Sequence, residues 1–196
     1  GGLTLGNYIG AIKQFVNLQN TLKDTEFFIF IADLHAITTP ITRETLKKNV
    51  KEIAALYLAC GLDPKRVNLF VQSEIPAHSQ LAYVMESTAY MGELERMTQF
   101  KDKKLKQEEG LRSSMFTYPA LMAADILLYD ADIVPVGDDQ SQHLELTRTL
   151  ANRFNHLYGE TFVVPEAFRP KTGARIKSLT EPTKKMAKSD DSPKSY

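Results

Sequence analysis

Hydrophobic residues recur at helical spacing in some segments of the chain and form short unbroken runs in others. In residues 8–22 the apolar side chains fall on one helical face, which predicts an amphipathic helix. Residues 46–57 repeat this spacing, and Gly61 and Pro64 follow, as is common after a helix end. The pattern therefore predicts two well-defined helices in the first third of the chain.

Two short apolar runs, at residues 27–33 and 67–72, are typical of strands buried on both faces of a parallel sheet, and a third run at 132–136 predicts a further short strand. Pro135 in the third run favours an edge position or a strand end. Because helices alternate with these runs, we predict an α/β fold with a doubly wound parallel sheet flanked by helices. A strand should precede the glycine-punctuated turn at the start, so we expect the first strand of the sheet to be missing.

Composition adds limits to this picture. The 196 residues are 43% hydrophobic and carry 24 basic and 24 acidic side chains, as in ordinary globular proteins. Cys60 is the single cysteine, which excludes an internal disulfide. Zero net charge argues against a dominant nucleic-acid footprint in this segment. No apolar run is long enough to span a bilayer and no signal-peptide pattern opens the chain, so we expect a cytoplasmic protein without a membrane partner.

Ligands of such folds bind at the carboxyl ends of the strands. This rule selects residues 33–35, Ser73 with Glu74, and residues 137–140. The charged stretch 101–109 lacks a core face and is interpreted as an exposed excursion or lid, with plain solvated surface as the alternative.

Two segments have the chemistry of an anion site. Thr4, Gly6 and Asn7 lie in the turn before the first helix, where backbone N–H groups favour anions; a simple helix cap is the alternative. Lys185 and Lys188, in the polar stretch KMAKS at 185–189, offer point charges to a polyphosphate, although lysines on polar loops are usually solvated.

An acid lies within an apolar helix at residues 118–129. Tyr118, Met122, Asp125 and Tyr129 share one face at spacings of four, three and four. A buried carboxylate needs a partner, so Asp125 is either a capping or salt-bridged residue or the acceptor for the N–H or O–H of an aromatic ligand.

Asp138 and Asp139 stand at a helix start after Gly137, as capping residues do. In a nucleotide site they would face ribose hydroxyls, because carboxylates repel a triphosphate. Gln140 could reach either ligand. Four histidines are scattered along the chain and no CxxC or HxxxH spacing occurs, so a zinc site is not expected.

Longer motifs identify a family. These are TLGNYIGA at 4–11, ELERMTQFK at 93–101, LMAADILLYDADIVPVGDDQSQHLELTR at 121–148, GARI at 173–176 and KMAKS at 185–189. The chain resembles the bacterial tryptophanyl-tRNA synthetases, which are class I aminoacyl-tRNA synthetases. The resemblance implies a Rossmann-type catalytic domain over residues 1–196, truncated at both ends, with the helical anticodon-binding domain absent. It also implies a homodimer that activates L-tryptophan with Mg-ATP and transfers it to tRNA(Trp), with no structural metal.

The resemblance also implies residue roles. The catalytic residues would be Thr4, Asn7, Lys185 and Lys188. The tryptophan-binding residues would be Asp125, Tyr118, Met122, His35 and Gln140. The ATP-binding residues would be Gly6, Asn7, Lys103, Gly137, Asp138, Asp139, Ile176, Lys185, Met186, Ala187, Lys188 and Ser189.

Ala187 departs from the family, which usually has serine there, so one hydroxyl donor is lost while both lysines remain. Three alternatives stay open: a tyrosine-specific relative, a nucleotidylyltransferase of the same superfamily, and a non-catalytic or inactive form of the same fold. We expect the 196 residues alone to be weakly active or inactive.

Overall fold

The structure, a computed structural model, describes residues 8–105, 112–137 and 140–168. The chain divides into two compact units. Among the described residues, the first unit contains 8–31 and 42–71, and the second contains 32–41 and the described ranges from 72 to 168.

The helices and strands alternate in the predicted manner. In chain order they are a π-helical turn Tyr8–Ile12, α1 Lys13–Thr21, β1 Phe27–Ile31, α2 Asp33–Ala36, α3 Arg43–Ala59, β2 Val67–Val71, a 3-10 turn Gln72–Glu74, α4 Ala77–Thr88, α5 Met91–Glu95, α6 Thr98–Leu105, α7 Ser114–Leu127, β3 Ile133–Pro135, α8 Ser141–Tyr158 and β4 Glu166–Phe168.

In the first unit, β1 and β2 pair in parallel, with Phe27 opposite Val67 and Ile31 opposite Val71. The Gln19 side chain links α1 to the turn after α3, since it donates to the carbonyl of Gly61 at 3.1 Å and accepts from the Asp63 N–H at 2.8 Å. The strand predictions are confirmed. The prediction that β1 is buried on both faces is wrong, because Phe28 is 39% exposed.

The turn after α3 requires glycine. Gly61 has φ +104°, a conformation that costs a side-chain-bearing residue about 1–2 kcal/mol. The sequence prediction of a helix that ends at this glycine is confirmed.

In the second unit, α4, α7 and α8 pack around a buried apolar core. Ala120, Ala123 and Ala124 lie on the inner face of α7 with no measurable exposure. Because alanine side chains are small, the neighbouring helices approach α7 closely, and Met85 and Leu150 fill the space between.

The second unit also contains β3 and β4, which pair in parallel with Pro135 opposite Phe168. Pro135 is the last residue of β3, as its missing N–H predicts. The α/β prediction with parallel strands is thus confirmed, and the described strands form two pairs. Of the predicted excursion 101–109, residues 101–105 belong to α6. None of the described helices is both long and apolar enough to cross a membrane.

Candidate functional site

Asp125 is the centre of a buried polar cluster. It lies in the apolar helix α7 and is 4% exposed. Its Oδ1 atom is 2.7 Å from both Gln72 Nε2 and His78 Nδ1, and its Oδ2 atom is 2.7 Å from His35 Nε2. Such bonds are required, because a carboxylate without donors is strongly disfavoured in an apolar interior.

The Gln72 amide is fixed by a second bond. Its Oε1 accepts the backbone N–H of Leu34 at 3.1 Å, so its Nε2 is the group that donates to Asp125. Gln72 has no measurable exposure. The segments that follow β1 and β2 therefore meet at this one side chain.

His78, at the start of α4, joins Asp125 to Tyr129. Its ring is fully buried, and its Nε2 is 2.8 Å from the Tyr129 hydroxyl. An ionised carboxylate only accepts, so Nδ1 donates to Asp125 and a neutral ring accepts the Tyr129 proton at Nε2. Burial and then the negative charge of Asp125 raise the pKa of Tyr129, which keeps this hydroxyl protonated.

The two oxygens of Asp125 differ in what they can still bind. Each carboxylate oxygen has two lone pairs, and Oδ1 already receives two donors. Among the described residues, Oδ2 receives one donor, from the half-buried ring of His35. Oδ2 is therefore the atom that can accept a hydrogen bond from a ligand.

Tyr118 supplies an aromatic neighbour. Its ring stands edge-on to His35, with centroids 6.1 Å apart. Its hydroxyl donates to Gln99 Oε1 at 2.7 Å and lies 2.6 Å from His143 Nε2. Burial raises the pKa of Tyr118 to about 12, so the hydroxyl stays protonated. Half-buried Met122 lies on α7 between Tyr118 and Asp125.

The loop between β3 and α8 carries two further predicted residues. Gly137 is exposed, and Gln140 is half-buried immediately before α8, where its N–H donates to the carbonyl of Gly137 at 3.0 Å. Gln142, two residues further on, accepts from the Thr98 N–H at 3.1 Å and so caps the start of α6. That helix contains the backbone of Lys103, whose side chain is outside the described part of the structure.

The remaining predicted residues lie outside the described ranges. They are Thr4, Gly6, Asn7, Asp138, Asp139, Ile176, Lys185, Met186, Ala187, Lys188 and Ser189.

Two features of the site were not predicted from the sequence. After β2 the residue that reaches Asp125 is Gln72, while Ser73, which the strand-end rule selected, donates its N–H to Asp33 Oδ1 at 3.0 Å. Histidines that are scattered in sequence also converge, since His35 and His78 share Asp125 and His143 binds Tyr118. The one sequence signal for Gln72 was its place at the end of the predicted strand; nothing in the sequence pointed to His78.

No group of three or more His, Cys, Asp or Glu side chains in the described part of the chain is arranged to hold a metal ion. His35 and His78 each lie within hydrogen-bond distance of Asp125.

Known proteins provide the decisive comparison. The family model described as tRNA synthetases class I (W and Y) matches residues 1–195. This chain belongs to that family. The family includes both the tryptophan and the tyrosine enzymes, so membership alone does not choose the amino acid.

Individual members of the family are highly similar to the chain. The tryptophan–tRNA ligase of Bacillus subtilis is 59% identical over 196 residues, which is 100% of this chain and 58% of the relative. The tryptophanyl-tRNA synthetase of Campylobacter jejuni, solved with ADP and tryptophan, has a TM-score of 0.87 at 41% identity over 96% of this chain and 57% of that one. The tryptophanyl-tRNA synthetase of Mycoplasma pneumoniae has a TM-score of 0.88 at 44% identity, and the match covers 95% of this chain and 55% of that one. The chain thus spans a little over half the length of these relatives.

Proposed function

We propose that this chain forms the catalytic part of a tryptophan–tRNA ligase. The protein activates L-tryptophan with Mg-ATP to tryptophanyl-adenylate and pyrophosphate, and then transfers tryptophan to tRNA(Trp). The observation that carries the proposal is the buried carboxylate of Asp125, whose Oδ2 can still accept a hydrogen bond and whose partner His35 stands edge-on to the Tyr118 ring.

The indole ring of tryptophan suits this arrangement. Its N–H is a donor without acceptor capacity, and a hydrogen bond to a charged acceptor contributes about 1.5–3 kcal/mol. Asp125 Oδ2 would accept that N–H, while Tyr118, Met122 and His35 would line the ring and Gln140 would lie near the amino-acid part. The relatives at 58–59% identity are tryptophan–tRNA ligases, which favours tryptophan over tyrosine.

The nucleotide side rests on the resemblance. ATP would bind at Thr4, Gly6, Asn7, residues 137–139 and Ile176. The tryptophan carboxylate attacks the α-phosphorus in line, so positioning and charge neutralisation supply most of the catalysis. Lys185, Lys188 and Lys103 would follow the negative charge that grows on the departing pyrophosphate.

A pyrophosphate-exchange assay tests the proposal. Full-length protein is incubated with ATP, labelled pyrophosphate and either tryptophan, tyrosine or no amino acid. We expect label to enter ATP with tryptophan only. Exchange driven by tyrosine would favour the tyrosine-specific alternative, and exchange with neither amino acid would favour a non-catalytic protein of this fold.

We further propose that the full protein is a homodimer and that regions beyond these residues carry most of the tRNA contact and the anticodon-binding domain. One feature of the described surface supports association. Tyr83, Tyr90 and Met91, in and just after α4, are 65–72% exposed, and large exposed apolar side chains close in sequence are typical of interaction surfaces.

A further inference from the structure

We propose that His78, with Tyr129 behind it, is a positioning residue that fixes the Asp125 carboxylate so that Oδ2 is presented to the indole N–H of tryptophan. This inference rests on the proposed function, since it concerns the same amino-acid site. His78 itself would not touch the ligand.

The geometry gives the two carboxylate oxygens different tasks. His78 Nδ1 and Gln72 Nε2 both lie 2.7 Å from Oδ1. These two donors use both lone pairs of Oδ1 and fix the rotation of the carboxylate about its terminal bond. Among the described residues the second oxygen receives one donor, from His35, so a lone pair remains to accept a further one.

The Tyr129 hydroxyl determines which nitrogen of His78 carries the proton. It lies 2.8 Å from Nε2, and Tyr129 follows Asp125 by four residues, just beyond the end of α7. When that hydroxyl donates to Nε2, the proton of the neutral ring is on Nδ1, the atom that faces Asp125. The chain of bonds from Tyr129 through His78 thus directs an N–H donor at the carboxylate.

His35 has a different position. Its side chain is 23% exposed and its Nε2 bonds Oδ2, the oxygen that faces the ligand. His78 is fully buried and bonds Oδ1. A change at His78 therefore tests the orientation of the carboxylate without removing a group that lines the ligand pocket.

The experiment compares tryptophan with its benzothienyl analogue, in which sulfur replaces the indole N–H. Exchange kinetics are measured on the full-length protein for wild type, His78→Leu, His78→Asn and Tyr129→Phe. The asparagine amide keeps a donor close to the former Nδ1 position, whereas leucine keeps none. His156→Leu, at an exposed histidine of α8, is the matched control and should leave the KM values for tryptophan and for the analogue unchanged.

We expect His78→Leu to raise the KM for tryptophan about tenfold or more, since the bond to a charged acceptor is misaligned. The KM for the analogue and for ATP should change by less than about threefold, because neither uses that bond. In His78→Asn the KM for tryptophan should return close to the wild-type value. Tyr129→Phe should raise the KM for tryptophan by less than His78→Leu does, again without raising the KM for the analogue.

Equal losses for tryptophan and the analogue would overturn the inference, because a merely structural role affects both. No loss for either would overturn it as well. If His78→Leu does not fold, judged by its thermal unfolding, Tyr129→Phe decides by the same comparison: its KM should rise for tryptophan and not for the analogue. A wild-type protein that does not activate tryptophan would instead overturn the proposed function, and the inference with it.

Discussion

At Asp125, burial and hydrogen bonding act in opposite directions on a single carboxylate. Burial removes the carboxylate from water, and each donor that it binds offsets part of that cost. Gln72, His78 and His35 supply donors to both oxygens, so the acid can remain an acceptor inside an apolar helix bundle. The same donors decide which oxygen is left for a ligand.

Asp125→Asn should weaken tryptophan binding more than ATP binding. Since two donors point at Oδ1, the amide oxygen of asparagine will take that position and its NH2 group will replace Oδ2. The indole N–H then meets a donor. We expect the KM for tryptophan in pyrophosphate exchange to rise about tenfold to a hundredfold, and the KM for ATP to stay within about threefold.

Asp24→Asn is the control for this prediction, since Asp24 is exposed in the first unit. Asp24→Asn should leave the KM for tryptophan and the KM for ATP unchanged. A similar rise in the KM for ATP and for tryptophan in Asp125→Asn would show that the carboxylate supports the whole site and does not select the amino acid.

At the scale of elements, an ion pair connects α5 to α8. The Arg153 guanidinium binds both oxygens of Glu93, at 2.6 and 2.9 Å, and lies 4.2 Å from the centroid of the Tyr90 ring. Glu93 also accepts the Tyr90 N–H at 2.9 Å and so caps the first turn of α5. This explains physically why an acid opens the motif ELERMTQFK.

This ion pair predicts how stability depends on pH. The bond from Arg153 is the main cause that lowers the pKa of Glu93 in the folded state. A lowered folded pKa contributes stability above the unfolded pKa of about 4.3, and this contribution is lost as pH falls through the folded value. We expect Glu93→Gln to reduce the free energy of unfolding by about 1–3 kcal/mol at pH 7, and the difference from wild type to shrink below pH 4.

Urea unfolding at pH 7, 5, 4 and 3 measures this difference. Glu145→Gln is the matched control, because Glu145 is 73% exposed and lies 3.9 Å from Arg148 on α8. Exposed pairs of this kind contribute about 0–1 kcal/mol, so its curve should follow wild type. A deficit of Glu93→Gln that is equally large at pH 3 and pH 7 would contradict the prediction.

At the scale of the whole molecule, the chain divides into two compact units, and the proposed amino-acid site lies in the second. The second contains the Asp125 cluster, and the first contains the parallel pair β1 and β2 with the helices around it. The exposed apolar side chains between Tyr83 and Met91 belong to the second unit, whose core they do not join. They are the surface on which the proposed association depends.

We expect full-length protein to sediment as a dimer. Tyr83→Glu should shift it toward monomer, because a charge at an apolar contact is left without a partner. Tyr158→Glu is the control, since Tyr158 is equally exposed, at 71% against 72%, but lies on α8. Sedimentation of the wild type as a monomer at micromolar concentration would refute the proposed dimer.

The sequence by itself determined the elements, the fold class and the family. Periodicity is a local property, so the helix that ends at Gly61 and the strands β1 and β2 followed from residues close to one another. Helical spacing likewise predicted that Asp125 lies on an apolar helical face and therefore needs hydrogen-bond partners. The long motif at 121–148 identified the family without any structure.

Only the tertiary structure decided which partners Asp125 has. Gln72 and His78 are 53 and 47 residues away in sequence, and no periodicity links them to the helix they contact. His78 reaches Asp125 because α4 packs closely against α7, which the alanines of α7 permit, and Gln72 lies in the turn that precedes α4. Hydrogen-bond partners that are distant in sequence are set by such packing, so the sequence predicted the acid and the fold supplied its donors.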